Sequence, residues 1–460
     1  MEDRLMVSVS GIRGTIGSTL TPRVACDFGL AYARMLRGND PARKSVVIGR
    51  DTRVSGAMIR SAVAAGLLAG GVDVVDLGVA TTPGTALMAS QLHADGGVII
   101  TASHNPPQYN GIKFLQPNGC CLPASAANDL KRLYEAGNFP LMPTDAIGTE
   151  SRNSTVHGRH VDSVAAVCDV NLIASKRYKV VVDSINGAGC VVTPMLLGKL
   201  GCELVHLNGE PTGQFAHEPE PIEKNLEGLC QAVRKHKAAV GFAQDPDADR
   251  LVVVDENGRF IGEEYTLALA TAFVLRHRKG NVATNLATSR MIDDIAAAAG
   301  AAVLRSPTGE ANVVELMLRE GCILGGEGNG GVIEPRVVLT RNSLVGMAYI
   351  LQYMAETGKT LSELAAEIPA YTLLKTKFAC PEGVAPAVAA AAKTEFASVA
   401  GAHFDERDGL RIDLPQGWVS VRASNTEPIM RIMAEARDTA LAQRWVDQVR
   451  RIADAVIAAR

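Results

Sequence analysis

The sequence predicts an α/β protein that closes with a separate α+β domain. Three observations carry this reading. Short apolar runs recur, and each ends in a polar, glycine-rich loop. Alanine- and leucine-rich stretches of helical character lie between them. After about position 370, close-set strand patterns precede one long helix.

In chain order, the runs and their loops are SVVIG before RDTR, GGVIITA before SHNP, YKVVVD before SINGAG, AAVGFA before QDPDADR, NVATN before LATSR, and CILGG before EGNGG. Apolar runs this short, bounded by turn residues, fit buried strands. The stretches from Met58 to Ala69 and from Val192 to Leu200 fit the intervening helices. Strand, loop and helix in alternation imply parallel sheets. Ligands of such folds sit beyond the carboxyl ends of the strands, so the polar loops are where chemistry is expected. Near the end, GLRIDL, WVSVRA and IMRIMAEA read as strands. The helix after them carries Leu441, Trp445, Val449, Ile452 and Val456 on one face. Boundaries are expected between Pro143 and Arg159 and near Pro369 to Thr372.

The bulk numbers narrow the function classes. A chain of 460 residues suggests two to four domains. Apolar residues make up 47% and charged ones 21%, ordinary for a globular protein. A net charge of −3 supplies no broad basic field for nucleic acid or membrane. The nine cysteines form no CxxC pair, which points to packed thiols in a reducing compartment. The N-terminus MEDRLMVSVSGIRG has acids where a signal peptide needs basic and then apolar residues. The longest apolar stretch is broken by Asp73 and Asp76, so no membrane span is expected and the protein reads as cytoplasmic.

Three loops carry the strongest chemistry. In DPDADR, Asp245, Asp247 and Asp249 alternate, and in an extended loop alternate side chains share a face. Three carboxylates together call for a cation, and hard oxygen ligands suit Mg²⁺. Glu256 falls where an EF-hand would have its last ligand, but Arg250 stands where that loop needs glycine. In RASNTEPIMR, Arg422, Ser424, Asn425 and Thr426 form a donor-rich loop with Arg431 returning after it, a set suited to phosphate. In GGEGNGG, Glu327 and Asn329 can grip hydroxyls while the glycines let backbone approach. The spacing is not GxGxxG, so no dinucleotide site is read. SGIRGTIG offers Arg13 among glycines, and Arg50 and Arg53 are expected to pair with local carboxylates and backbone. The remaining loop, TASHNPP, holds Ser103 and His104. Neighbours on an extended loop point apart, so His104 is a poor base for Ser103, and GxSxG is absent. Ser103 is better suited to carry a phosphate, held by the metal of the aspartate loop and by Arg250, with Pro106 and Pro107 stiffening the loop.

TASHNP, DPDADR, the glycine loop with its glutamate, and RASNTEP, in that order, closely resemble the α-D-phosphohexomutases, the phosphoglucomutase/phosphomannomutase superfamily. The resemblance runs from SGIRG to the C-terminal domain and includes DSINGAG and EPEPIEKNL. It implies three similar α/β domains with mixed sheets and a C-terminal α+β domain around a central cleft, spanning about 1–148, 149–255, 256–370 and 371–460. Ser103 matches the phosphoserine, and Asp245, Asp247 and Asp249 match the Mg²⁺ ligands, joined by an oxygen on Ser103. Arg13, His104, Lys113 and Arg250 match the basic residues around the transferring phosphate. Glu327 matches the sugar-binding glutamate, and Arg422, Ser424, Asn425, Thr426 and Arg431 match the loop for the other phosphate.

The implied reaction moves phosphate between O1 and O6 of a hexose through a 1,6-bisphosphate, which also serves as activator. Two positions depart from the common pattern: Asn329 stands where many members have serine, and Gly331 where many have histidine. His104 and Lys113 then remain as candidates for proton transfer. The expected substrates are glucose and mannose phosphates, handled by a monomer or homodimer. Phosphoglucosamine mutase is the alternative within the family, and Glu427-Pro428 matches that branch. A phosphosugar-binding protein without turnover and a metal-dependent phosphatase are the readings from other classes.

Overall fold

The computed structural model describes residues 5–8, 11–38, 40, 42–381, 383–423 and 429–459. The first sheet has seven strands: β1 Met6–Ser8, β2 Gly11–Thr15, β3 Lys44–Arg50, β4 Val72–Val79, β5 Gly96–Ile100, β6 Tyr109–Leu115 and β7 Glu150–Arg152. Their order is β1-β2-β6-β5-β3-β4-β7. The second sheet joins β8 Lys179–Asp183, β9 Glu203–Leu207, β10 Val240–Gln244 and β11 Leu251–Val254 in the order β11-β10-β8-β9. The third joins β12 Val282–Asn285, β13 Val303–Ser306, β14 Leu324–Glu327 and β15 Gly331–Ile333 in the order β13-β12-β14-β15.

One construction repeats in all three. Parallel strands form the body of the sheet, and one of them turns sharply into an antiparallel neighbour. The turns are β5 to β6, β10 to β11 and β14 to β15. Each turn leaves the carboxyl end of a buried parallel strand, and each is one of the loops singled out above. SVVIG, GGVIITA, YKVVVD, AAVGFA, NVATN and CILGG are all strands, and the expected helices lie at Gly56–Ala69 and Gly189–Lys199.

The fourth unit is α+β. Strands β16 Thr372–Ala379, β17 His403–Asp405, β18 Leu410–Leu414, β19 Gly417–Ala423 and β20 Ile429–Ala436 form an antiparallel sheet in the order β16-β20-β19-β18-β17. Helices Ala385–Phe396 and Thr439–Ala458 cover its apolar face. Leu441, Trp445, Val449, Ile452 and Val456 all pack into that core. Strand β16 escaped the sequence reading because Lys375, Thr376 and Lys377 interrupt its apolar pattern. Its pairing with β20 along the whole length is what makes it a strand.

The first three units share a continuous apolar core that runs from Ala86 and Ile99 through Val240 and Phe242 to Val345 and Leu351. Helix Ser343–Thr357 threads it, buried from Ser343 to Ala355. The C-terminal unit keeps a core of its own. Its junction is polar: the Arg290 N–H donates to Glu435 Oε1 at 2.9 Å, and Arg290 Nη1 donates to Leu414 O at 2.9 Å and Gly417 O at 3.1 Å.

Where the first three units meet, His160 lies buried between Thr81 and Asn342, the caps of helices Thr82–Gln91 and Ser343–Thr357. Its Nδ1 is 3.4 Å from Thr81 Oγ1, and its Nε2 is 2.9 Å from Asn342 Nδ2. Burial pushes its pKa down to about 4. A histidine held neutral in the folded state contributes stability that is present above its unfolded pKa of about 6.5 and lost as pH falls towards 4. The loss from this group should approach about 3 kcal/mol. Thermal melts between pH 7.5 and 4.5 should therefore fall more steeply for the wild type than for His160→Gln, and parallel curves would refute the assignment.

Candidate active site

The serine loop follows β5. Ser103 is almost fully buried and takes up a left-handed backbone, φ 49°. Its N–H donates to Thr101 Oγ1 at 2.9 Å. Arg53 holds the turn from beneath. Its Nη2 donates to the carbonyls of Ser103 and Asn105 at 2.7 and 2.6 Å, and its Nη1 to those of Pro106 and Tyr109 at 2.8 and 3.0 Å. Asp51, itself bonded by Thr101 Oγ1 at 2.6 Å, neutralises the guanidinium, with Nε to Oδ2 at 3.2 Å. The sequence reading of Arg53 as a partner of carboxylate and backbone thus describes it correctly, and the loop's rigidity comes from four carbonyl contacts as well as from its prolines. The expectation that Ser103 and His104 point apart is overturned. The left-handed turn brings Ser103 Oγ to 3.4 Å from His104 Nδ1.

The aspartate loop between β10 and β11 is a tight turn rather than an extended segment, with Ala248 at φ 56° and its N–H bonded to Asp245 O at 2.9 Å. Asp245 Oδ1 accepts the N–H groups of Asp249 and Arg250 at 3.2 and 3.1 Å. All three carboxylates are fully buried, and one oxygen of each lies within 4.8 Å of the others. Ser103 Oγ donates to Asp245 Oδ2 at 2.7 Å. Asp247 Oδ2 receives Thr82 Oγ1 at 2.6 Å and Lys113 Nζ at 3.0 Å. Asp249 Oδ2 receives Arg341 Nη2 at 2.6 Å.

Two oxygens, Asp247 Oδ1 and Asp249 Oδ1, have no hydrogen-bond partner although buried. Such orphaned acceptors are costly unless something electropositive fills the gap. Burial, then Asp247 and Asp249, push the Asp245 carboxyl well above the usual range. Asp247 is also buried, but Lys113 and Thr82 outweigh that and hold it ionised. Converging hard oxygens with vacant lone pairs fit a divalent cation such as Mg²⁺.

The third loop leaves β14. Glu327 ends that strand, and its Oε1 accepts Asn285 Nδ2 at 2.7 Å. Its Oε2 receives Arg341 Nη1 at 2.6 Å, and the same nitrogen is 3.4 Å from Asn329 Oδ1. Burial raises the Glu327 pKa, but Arg341 and Asn285 win and keep it ionised. Arg341 escaped the sequence reading, as did Thr82 and Glu310. No local motif marks Arg341, because its partners Asp249 and Glu327 lie 92 and 14 residues away.

The predicted basic residues gather around the serine loop. Arg13 stands on β2 rather than in a glycine loop, and its Nη1 donates to Asn105 Oδ1 at 3.2 Å. Arg250 Nε is 4.0 Å from Asp249 Oδ1. Neither proton-transfer candidate titrates near neutrality in the unphosphorylated site. Arg250, burial and the cations Arg13 and Arg341 push His104 down to about 2. Burial opposes the charge on Lys113, but Asp247, Asp249 and Glu310 hold its ammonium above the ordinary lysine range. Arg422, on β19, pairs with Asp408 at 3.2 Å and lies opposite Arg431 of β20. Ser424, Asn425 and Thr426 lie outside the described residues.

Phosphoglucomutase/phosphomannomutase models of α/β/α domains I, II and III match residues 4–141, 158–258 and 262–371, and that of the C-terminal domain matches 376–452. The chain belongs to the phosphoglucomutase/phosphomannomutase family. It is 42% identical over 95% of its length to a phosphoglucomutase/phosphomannomutase of Thermococcus kodakarensis, 96% of which is covered. It is 38% identical over 97% of its length to a probable phosphoglucosamine mutase of Methanopyrus kandleri, 98% of which is covered. Among solved structures, a phosphoglucomutase/phosphomannomutase family protein of Burkholderia thailandensis superposes with a TM-score of 0.86 at 29% identity over 98% of each chain. Membership makes the chain a phosphomutase, an intramolecular phosphotransferase, with three α/β domains and a distinct C-terminal one. No helix among the described residues is long and apolar enough to cross a membrane.

The pairings fix which aspartate can be neutralised without harm to the fold. Asp247 balances the buried Lys113, whereas an amide at 245 can accept the two backbone N–H groups through its oxygen and donate to Ser103 Oγ through its nitrogen. Asp245→Asn should therefore raise the melting temperature of the metal-free protein by a few degrees while abolishing the stabilisation gained on adding Mg²⁺. Asp247→Asn should lower the metal-free melting temperature. Scanning calorimetry with and without chelator distinguishes the two, and equal shifts would contradict the pairing.

Proposed function

We propose that this phosphomutase interconverts hexose 1-phosphates and hexose 6-phosphates, with glucose and mannose phosphates as substrates, through a phosphate carried on Ser103. The observation that carries the reading is the position of Ser103 Oγ, 2.7 Å from Asp245 Oδ2 in a site whose Asp247 and Asp249 each keep a buried oxygen unpartnered. Asp245, Asp247 and Asp249 would hold Mg²⁺ together with a phosphoserine oxygen. The metal supplies neutralisation of the charge on the phosphoryl oxygens.

The remaining work belongs to the chain. Arg53 fixes the serine loop so that the phosphate is presented in one place. Arg13 and Arg250 balance negative charge, and Lys113 remains an ammonium beside Asp247. Glu327 and Asn329 bind sugar hydroxyls. Arg422, Ser424, Asn425, Thr426 and Arg431 hold the phosphate that is not reacting. In the first transfer the Ser103 Oγ–P bond breaks as a sugar hydroxyl bonds phosphorus, and the hydroxyl proton passes through the phosphate oxygens to the departing Ser103 Oγ. The resulting 1,6-bisphosphate reorients, and its other phosphate returns to Ser103. A loose transition state of this kind asks little of a base, which fits a His104 held neutral.

Phosphoglucosamine mutase is the second reading, favoured by relatives of that name at 38% and 39% identity. Nine free thiols and the absence of disulfides among the described residues support a cytoplasmic setting. Coupled assays on glucose 1-phosphate, mannose 1-phosphate and glucosamine 6-phosphate, run side by side, decide among the substrates. Turnover on glucosamine 6-phosphate alone would replace the first reading by the second. Peptide mass spectrometry should find phosphate on Ser103, and Ser103→Ala should lower turnover by several orders of magnitude. Wild-type activity in that variant would end the phosphoserine reading.

A further inference from the structure

Arg341 joins carboxylates that serve two different ligands. It follows β15 and precedes helix Ser343–Thr357, and its side chain is about nine-tenths buried. Its Nη2 is 2.6 Å from Asp249 Oδ2, on the aspartate loop. Its Nη1 is 2.6 Å from Glu327 Oε2, on the sugar loop. Its Nε lies 2.8 Å from Glu310 Oε2, an ion-pair contact whose direction misses hydrogen-bond alignment. Glu310 is anchored in turn by Thr340 Oγ1 at 2.5 Å. One planar fork therefore spans three acids from separate segments, the aspartate loop, the end of β14 and the start of helix Glu310–Glu320, a geometry that a point-charge ammonium cannot reproduce.

The space for this fork exists because residue 331 is glycine. A Cβ there would come within 2.1 Å of Arg341 Cδ and 2.7 Å of its Cγ. The atoms met are the middle of a side chain held at its far end, so they cannot swing aside cheaply. Gly331 therefore makes room for Arg341, which is a different service from the closer approach to sugar expected of a glycine in this loop.

We propose that Arg341 is the positioning residue that couples the metal loop to the sugar loop: it sets Glu327 for the sugar and competes with the cation for Asp249. A cation entering the aspartate loop must take Asp249 Oδ2 from the guanidinium or coordinate beside it. Either event weakens the Asp249 contact and leaves the fork with Glu327 and Glu310. Removing Arg341 should then move the two ligands in opposite directions. The cation loses a competitor and a repelling charge, while Glu327 loses the group that fixes it.

The inference rests on the phosphohexomutase reading, and the test separates the two. Mg²⁺ and glucose 6-phosphate are titrated calorimetrically into full-length Ser103→Ala protein, which cannot carry phosphate, with and without Arg341→Gln. The Mg²⁺ affinity should rise roughly 10-fold through loss of a nearby unit charge. The glucose 6-phosphate affinity should fall roughly 10–100-fold, the usual worth of hydrogen bonds to charged groups. In the Ser103 background KM should rise more than kcat falls. Arg341→Lys keeps the charge without the fork. It should restore the Mg²⁺ affinity towards the parent value but leave KM high. A residue that merely supports the fold would weaken both ligands together, and that outcome, or no change in either, overturns the proposal. Gly331→His should lower the melting temperature by several degrees, and adding Arg341→Ala should recover most of the loss. A fully stable Gly331→His protein would also overturn it. If the parent binds no hexose phosphate and the wild type shows no mutase turnover, the functional reading fails instead.

Discussion

Three carboxylates buried at one point are the constraint around which this molecule is arranged. Asp245, Asp247 and Asp249 are fully buried, and their mutual repulsion has to be met by charge from outside their own loop. Lys113 comes from the first sheet, Thr82 from a helix start packed on it, and Arg341 from beyond the third. The aspartate turn therefore cannot be assembled by the second unit alone. Bringing in a cation relieves the same repulsion, so metal affinity and domain arrangement share one electrostatic origin.

The scaffold answers this demand for fixed positions. A loop at the carboxyl end of a buried parallel strand, closed at once by an antiparallel neighbour, has little freedom. The design occurs three times. Shared apolar packing through helix Ser343–Thr357 keeps the three loops in register with one another. Beneath the serine loop, Arg53 spends its donors on four backbone carbonyls while Asp51 balances its charge. The C-terminal unit stands apart, with its own core and a polar junction through Arg290.

Neutral His104 and charged Lys113 show how the surroundings set the chemistry available. Both are ordinary titratable side chains in isolation. Arg250, burial, Arg13 and Arg341 push the imidazole towards its neutral form, and Asp247, Asp249 and Glu310 hold the ammonium charged against its burial. Positioning and charge balance are then the means left to this site, and they are the means that phosphoryl transfer chiefly uses.

Local order was legible in the chain: which apolar runs become strands, where each ends, and that Ser103, the three aspartates, Glu327 and Arg422 occupy loops or strand ends. Those features depend on neighbours a few residues away, through alternation, turn residues and strand length. The family could be read for the same reason, since its motifs are short and ordered. Only the tertiary structure decided which cation serves which carboxylate, that Ser103 turns left-handed to face Asp245, that β16 is a strand, and that Gly331 exists to admit Arg341. Ion pairing and desolvation act through space, and partners within this site lie up to 165 residues apart along the chain. No periodicity or spacing encodes a distance of that kind until the domains have packed.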